Sequence, residues 1–189
     1  MQATDETDAL RRKRGDRWRI VLTAFRNAVV GVLVGLVSYY LITDATTETR
    51  QRRLRRTAPE TLFAEEVEPG PTLDFEGWTS QDRAYWRSLR NGETFGRIVA
   101  ERMDRDAVVV RGVTRADLVN GPGWVTYTDL PGPTGNCGIA GHRVTHGAPF
   151  RWIDRLKTGD VIRLTSPYRR YTYRVVRSFT VTPDRTDVL

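Results

Sequence analysis

The stretch from Ile20 to Ile42, IVLTAFRNAVVGVLVGLVSYYLI, constrains this chain more than any other feature. It is broken only by Arg26-Asn27 and is uncharged from Ala28 to Ile42. A bilayer core takes roughly 20 mainly apolar residues in a helix, so the stretch predicts a transmembrane helix. Arg26 would snorkel to the cytoplasmic interface and Tyr39 and Tyr40 would sit at the opposite one. A cleaved signal peptide is the competing reading. The run is long for that, and no small-x-small site follows before Asp44. Gly31-x-x-x-Gly35 adds a spacing that permits close helix pairing, a weak signal on its own.

Charge follows the same landmark. The 189 residues carry a net charge of +7, and a pI of about 10.1 invites a nucleic-acid reading. Twelve Lys/Arg but only six Asp/Glu lie at or before Arg56, so six of the seven excess charges flank the apolar run and the rest of the chain carries +1. Charge placed this way serves membrane insertion and anionic lipid; a nucleic-acid partner is not expected. The cluster Arg11–Arg19 favours a cytoplasmic N-terminus, while Arg50–Arg56 on the other side weakens that bias. A single cysteine, Cys137, excludes an intrachain disulfide framework.

Four segments result. Residues 1–19 form a basic tail, 20–42 the span, 43–91 a stalk with a short helix, and 92–189 a domain. Asp44 to Gly77 shows no strong period and passes from Arg-rich to acidic and Pro/Gly-bearing, which reads as a solvated stalk. Thr79-Ser80 ahead of QDRAYWRSLR suggests a short capped helix closed by Asn91-Gly92. Strands are expected at Gly96–Ala100, Ala107–Val110, Gly135–Ala140, Val161–Thr165 and Tyr171–Val181, all short, β-branched and bounded by turn residues. A brief helix is expected over Pro149–Leu156, with Phe150 and Trp152 in the core. Trp124 and Tyr127 are expected to pack, since aromatics dominate core burial. Many short strands with little helix predict an all-β barrel or sandwich.

Both histidines, His142 and His146, fall in PGPTGNCGIAGHRVTHGAPF. The glycines there suit a strand ending in a tight turn, with His142 at the start of a loop, where catalytic groups are often held. Three chemistries compete. Cys137, His142 and His146 offer ligand types suited to zinc, but the glycines and Pro149 oppose the helix their spacing needs. Cys137 and His142 could form a nucleophile and base, yet their odd separation sends them to opposite faces of a regular strand. Cys137 is then a small buried residue alternating with Ile139. In the third reading His142 works with residues from distant strands.

Residues 92–189 resemble the catalytic domain of a sortase, specifically the class E group of Gram-positive actinobacteria. The likeness rests on Gly121-Pro122-Gly123, Leu130-Pro131-Gly132, and Gly135-Asn136 leading into Ile139-Ala140-Gly141-His142-Arg143. It continues through Thr145, Gly147-Ala148-Pro149-Phe150, Leu156, Gly159-Asp160-Val161-Ile162, Tyr171–Val175, Val181 and Pro183. The resemblance implies an eight-stranded barrel outside the cell behind one N-terminal span. It also implies a thiol transpeptidase that attaches surface proteins to the cell wall through a C-terminal sorting signal. Its partners would be that sorting-signal peptide, an amine acceptor (a cell-wall precursor or a pilin lysine) and the membrane, with no cofactor and no metal. His142 corresponds to the family's histidine, acid toward the leaving amine and base toward the incoming one.

The family's cysteine normally ends a later strand, in a Thr-Leu-x-Thr-Cys motif, and its essential arginine lies on the strand after that. Neither is met by Leu189. Cys137 precedes the histidine, where the family has a core residue, and Arg143 does not match the family's arginine. The resemblance therefore implies a barrel without its last two strands, catalytically incomplete and either poorly folded or completed in trans. The alternative is a non-enzymatic, membrane-tethered β-domain that binds sorting-signal peptides or a partner. The charge distribution makes its own prediction: a fragment without residues 1–56 should give no salt-sensitive gel shift with DNA.

Overall fold

The computed structural model describes residues 2–64, 84–132, 135–185 and 187–188, with side chains from Trp18 onward. It divides into two units, residues up to Ile42 and residues from Thr43. In the first, helix α1 (Gln2–Thr57) contains the apolar run, which no proline interrupts. Its large apolar side chains, among them Leu22, Phe25, Leu33 and Leu36, are exposed. The helix is long and apolar enough to cross a membrane.

In the second unit α1 continues to Thr57, where the sequence suggested an irregular stalk. One face of this stretch is occupied: Thr43 and Thr47 are buried, and Gln51, Leu54 and Arg55 are half-buried. Thr47 Oγ1 donates to Val119 O at 3.2 Å. The Gln51 amide donates to Val108 O and Asn120 O and accepts from Val108 N at 2.8 Å. The helical period was carried by polar residues, so a search for apolar periodicity misses it. Beyond the helix, Phe63 lies between the guanidinium groups of Arg55 and Arg97, both of which are ion-paired to Asp106. Burial works to raise the Asp106 pKa, but hydrogen bonds and charge from Arg97 and Arg55 outweigh it and hold the carboxyl below its ordinary value. The acidic stretch 65–77 and the expected cap at Thr79-Ser80 lie outside the described residues; residues 84–88 form helix α2.

Six strands follow: β1 (Thr94–Ala100), β2 (Arg105–Arg111), β3 (Gly123–Trp124), β4 (Ile139–Ala140), β5 (Val161–Thr165) and β6 (Arg170–Arg174). They form one sheet in the order β4-β3-β2-β1-β5-β6. The expected all-β class needs correction, because the sheet is mixed and a long helix precedes it. β2 and β3 run parallel while every other pair is antiparallel. Parallel neighbours require a crossover, here built around α3 (Arg115–Leu118) with a Thr114/Asp117 capping box at its start. Gly112 (φ +99°) leads into it, and any Cβ there would strike the Asp117 carboxylate. The sheet curls as a half-barrel whose described edges are β4 and β6.

Aromatic stacking organises the core. Trp86 stacks on Phe95 at 5.3 Å between centroids, and Phe95 on Trp124 at 4.9 Å. Phe95 is fully buried, with Val108, Val109 and Val110 of β2 equally so. Trp124 is thus a packing residue, whereas Tyr127 is exposed.

Three expected elements are shorter than the sequence suggested. Of Gly135–Ala140 only Ile139–Ala140 is strand; Asn136 and Gly138 are instead bonded to Asp129 and Thr128. The last strand ends at Arg174; Val175 still exchanges backbone bonds with Gly159 and Asp160, and Val176 beyond it is 78% exposed. The expected helix over Pro149–Leu156 is a run of turns ending in a 3-10 turn, Ile153–Arg155. Phe150 packs on the core, but Trp152 is 37% exposed under Arg155.

The Gln51 contacts yield a prediction. Gln51→Ala leaves the Val108 N–H and C=O without their side-chain partner, at a cost of about 1–3 kcal/mol. Hydrogen exchange should show the Val108 amide opening at least about fivefold faster than in the unsubstituted protein, the smallest change that cost allows.

Candidate active site at the histidine loop after β4

The site starts from β4, held against β3 by the pairs Gly123↔Ala140 and Trp124↔Ile139. Gly141 comes next, and a Cβ there would press on the Phe150 ring at 2.9 Å and on Pro149. That close approach brings 149–150 back over the strand end, where Phe150 N donates to His142 O at 3.1 Å. His142 therefore stands at the mouth of a loop, as the sequence suggested. Its Nε2 is buried and has no hydrogen-bond partner among the described residues. A buried imidazole nitrogen left open in this way can exchange a proton with a group that enters the site.

His146 supports that ring. The two imidazoles stack with centroids 4.5 Å apart and planes 26° apart. His146 Nδ1 lies 3.0 Å from Thr145 Oγ1. Burial first, then the neighbouring His142 with Arg115 and Arg50, lowers the His146 pKa below that of an ordinary imidazole. The shift favours the neutral form of the ring that stacks on His142.

The loop that carries His146 is strained. His146 (φ +53°), Gly147 (φ +69°) and Ala148 (φ +38°) are consecutive left-handed residues. For His146 and Ala148 that conformation costs about 1–2 kcal/mol each. Contacts on several sides hold it: Ala148 N donates to Thr145 O at 2.9 Å, and Ala148 O accepts from Arg151 N at 3.0 Å. Strain of this kind gathers where a backbone must hold functional groups in one arrangement.

Cys137 is placed elsewhere. It packs on the core and lines an apolar groove of about 300 Å³ with Ile98, Ile139, Phe150, Ile162 and Tyr173. Burial above all, with a contribution from Asp129, pushes its thiol pKa up to about 12. His142 is not among the residues lining that groove. Among the described residues no group of three His, Cys, Asp or Glu side chains could hold a metal ion. Arg143 pairs with Asp154 at 3.1 Å, both exposed. Asp160 is a turn residue, its carboxylate accepting from Lys157 N at 2.8 Å. The reading of the sequence missed Thr47 and Gln51, which approach this region from α1. Their one visible signal was the four-residue spacing of Thr43, Thr47, Gln51 and Arg55.

A family model described as the sortase domain matches residues 98–189. The chain is 43% identical over 111 residues to Sortase SrtE1 of Streptomyces coelicolor, an alignment spanning 54% of this chain and 31% of that protein. Sortase D of Bacillus subtilis is 29% identical, with 52% and 48% covered. Among solved structures, a Clostridium perfringens Sortase D5 transpeptidase superimposes with a TM-score of 0.56 at 25% identity, covering 77% of this chain and 81% of that one. Sortase E from Streptomyces avermitilis gives 0.50 at 27% identity, covering 53% and 68%. The chain spans between about a third and a half of the length of the curated relatives it matches.

The raised Cys137 pKa keeps the thiol protonated at neutral pH, and only the thiolate is nucleophilic. Iodoacetamide at pH 8 should alkylate Cys137 at about 1% or less of the rate of free cysteine, and denaturant should restore the ordinary rate. Mass spectrometry of the time course reads both.

Proposed function

Residues 98–189 belong to the sortase family, with the likeness pointing to class E, and on that premise we propose a membrane-anchored cysteine transpeptidase in which His142 carries the protons. Its substrate is the C-terminal sorting signal of surface proteins, and its acceptor an amine of a cell-wall precursor or a pilin lysine. The observation that carries this reading is the His142 ring, which stands at the strand end with a buried Nε2 that has no partner among the described residues and with His146 stacked behind it.

Two steps follow from nucleophilic catalysis. A cysteine thiolate attacks the carbonyl carbon of a Thr-Gly type bond; the C–N bond breaks, and His142 gives its proton to the departing amine. The acyl group is then a thioester. The acceptor amine attacks the same carbon, His142 takes its proton, and the C–S bond breaks to regenerate the thiolate. Histidine suits both directions because its ordinary pKa lies near the working pH. The nucleophile in this reading is the family's cysteine, on a strand later than β6 in the domain. Cys137 is not called on, being a buried thiol with a pKa of about 12. Further strands of the domain would join the sheet at its described edges, β4 and β6.

The apolar part of α1 is the anchor, with residues 1–19 in the cytoplasm and residues 43–189 outside the cell. Exposed apolar side chains along Ile20–Ile42 and the basic cluster ahead of them support this orientation.

The apolar groove of about 300 Å³ favours a second reading, a tethered domain that binds sorting-signal peptides without cleaving them. A labelled sorting-signal peptide separates the two in protein that includes the family's cysteine strand. Transpeptidation predicts a hydroxylamine-sensitive adduct, which His142→Ala slows by at least about 100-fold without loss of peptide binding. Binding with no adduct supports the second reading, and an unchanged rate in His142→Ala removes the histidine from the mechanism.

A further inference from the structure

The stretch of α1 from Thr43 to Thr57 lies on the domain beside the histidine loop, and its role goes beyond a tether. A polar cavity of about 200 Å³ is shared by the two: Thr47, Glu48, Gln51 and Arg55 line it from the helix, and His146, Gly147 and Pro149 from the loop. The helix backs on the loop at Gly147, where an added Cβ would lie 3.1 Å from Thr47 Cγ2. Gly147 is the central residue of the left-handed run, so its neighbours His146 and Ala148 move with it. The His146 ring in turn stacks on His142.

Thr47 is itself fixed in place. Its hydroxyl donates to Thr43 O at 3.0 Å and to Val119 O at 3.2 Å, which turns its methyl group toward Gly147. Val119 O also accepts from Arg50 Nη1 at 3.3 Å. One turn further along, Gln51 is tied to both backbone groups of Val108 and to Asn120 O. The helix is therefore anchored to β2 and the crossover through polar bonds at the residue that faces the loop and one turn beyond it. A strained loop keeps its conformation only where its surroundings over-determine it, and on this side the surrounding surface is the helix.

We infer that the Thr43–Thr57 segment positions the histidine loop, with the Thr47 methyl group against Gly147 as the contact that keeps His146 stacked on His142. Thr47 is a positioning residue, acting through the loop and never on substrate. The inference rests on the assignment of His142 as the proton carrier only for its consequence in catalysis; the geometry itself is tested without substrate.

The chain has two histidines, so selective ¹³C-histidine labelling of the full chain in detergent micelles gives a spectrum of two rings. The readout is the ring-to-ring nuclear Overhauser effect, with the ring chemical shifts beside it. Two conservative variants divide the threonine. Thr47→Ser keeps the hydroxyl bonds and loses the methyl; Thr47→Val keeps the methyl and loses the bonds, leaving Val119 O its contact with Arg50. Thr47→Ser is expected to cut the ring-to-ring effect by about half or more and to shift the His146 signal. Thr47→Val should retain both, as should Arg52→Ala on the exposed side of the helix. A Thr47→Ser spectrum identical to the unsubstituted one would overturn the inference, and so would equal loss in Thr47→Val, which would assign the effect to anchoring of the helix in general. Loss of His142 from the transpeptidation mechanism would leave these spectra unchanged, so the two claims fail separately.

Discussion

Strand β2 is the member on which the rest of the domain depends, because every buried backbone donor and acceptor along it must find a partner. Its residues Ala107 to Val110 are almost wholly removed from solvent. β1 satisfies one side through a long antiparallel register. The other side is divided: β3 pairs at Val110 and Arg111, and past the end of that short strand the Gln51 amide bonds Val108 through both its oxygen and its nitrogen. A primary amide presents the same donor and acceptor as a peptide group, so one side chain from α1 stands where a third strand would otherwise continue. The helix is in this way part of the sheet's hydrogen bonding.

That arrangement links stability to the site. The crossover that returns the chain to β3 carries Val119 and Asn120, whose carbonyls are the other acceptors for Thr47 and Gln51. β3 then holds β4, and β4 delivers His142. Aromatic stacking of Phe95 on Trp124 locks β1 against β3 from the core side. On the far side the strained run from His146 to Ala148 faces the helix. The imidazole pair is thus held between a packed core and a polar seam.

Legibility from sequence differed element by element. Thr94–Ala100, Arg105–Arg111 and Val161–Thr165 were readable because β-branched residues bounded by turns are a local signal. His142 was readable because glycines around it announced a strand end with close backbone approach. The strand expected to run to Val181 stopped at Arg174, since a strand lasts only as far as a neighbour pairs with it. The helix expected at Pro149–Leu156 is a run of turns, for only Phe150 packs on the core, while the left-handed residues ahead of it set the direction of the chain. The docked part of α1 was hidden because Thr43, Thr47 and Gln51 follow a helical period in hydrogen-bonding capacity, which hydrophobic patterning does not record.

By itself, the sequence determined an apolar segment able to cross a bilayer, a basic surround for it, a nearly neutral domain of short strands, and one histidine poised at a strand end. These are local properties, set by composition, spacing and backbone preference. Only the tertiary structure decided that β2 and β3 run parallel, that Cys137 faces an apolar groove while His142 opens elsewhere, and that a polar helix face completes the sheet and meets the histidine loop. Each of those outcomes joins residues far apart in the chain, where the pairing of buried polar groups and the packing of buried surfaces leave no trace in any single stretch of sequence.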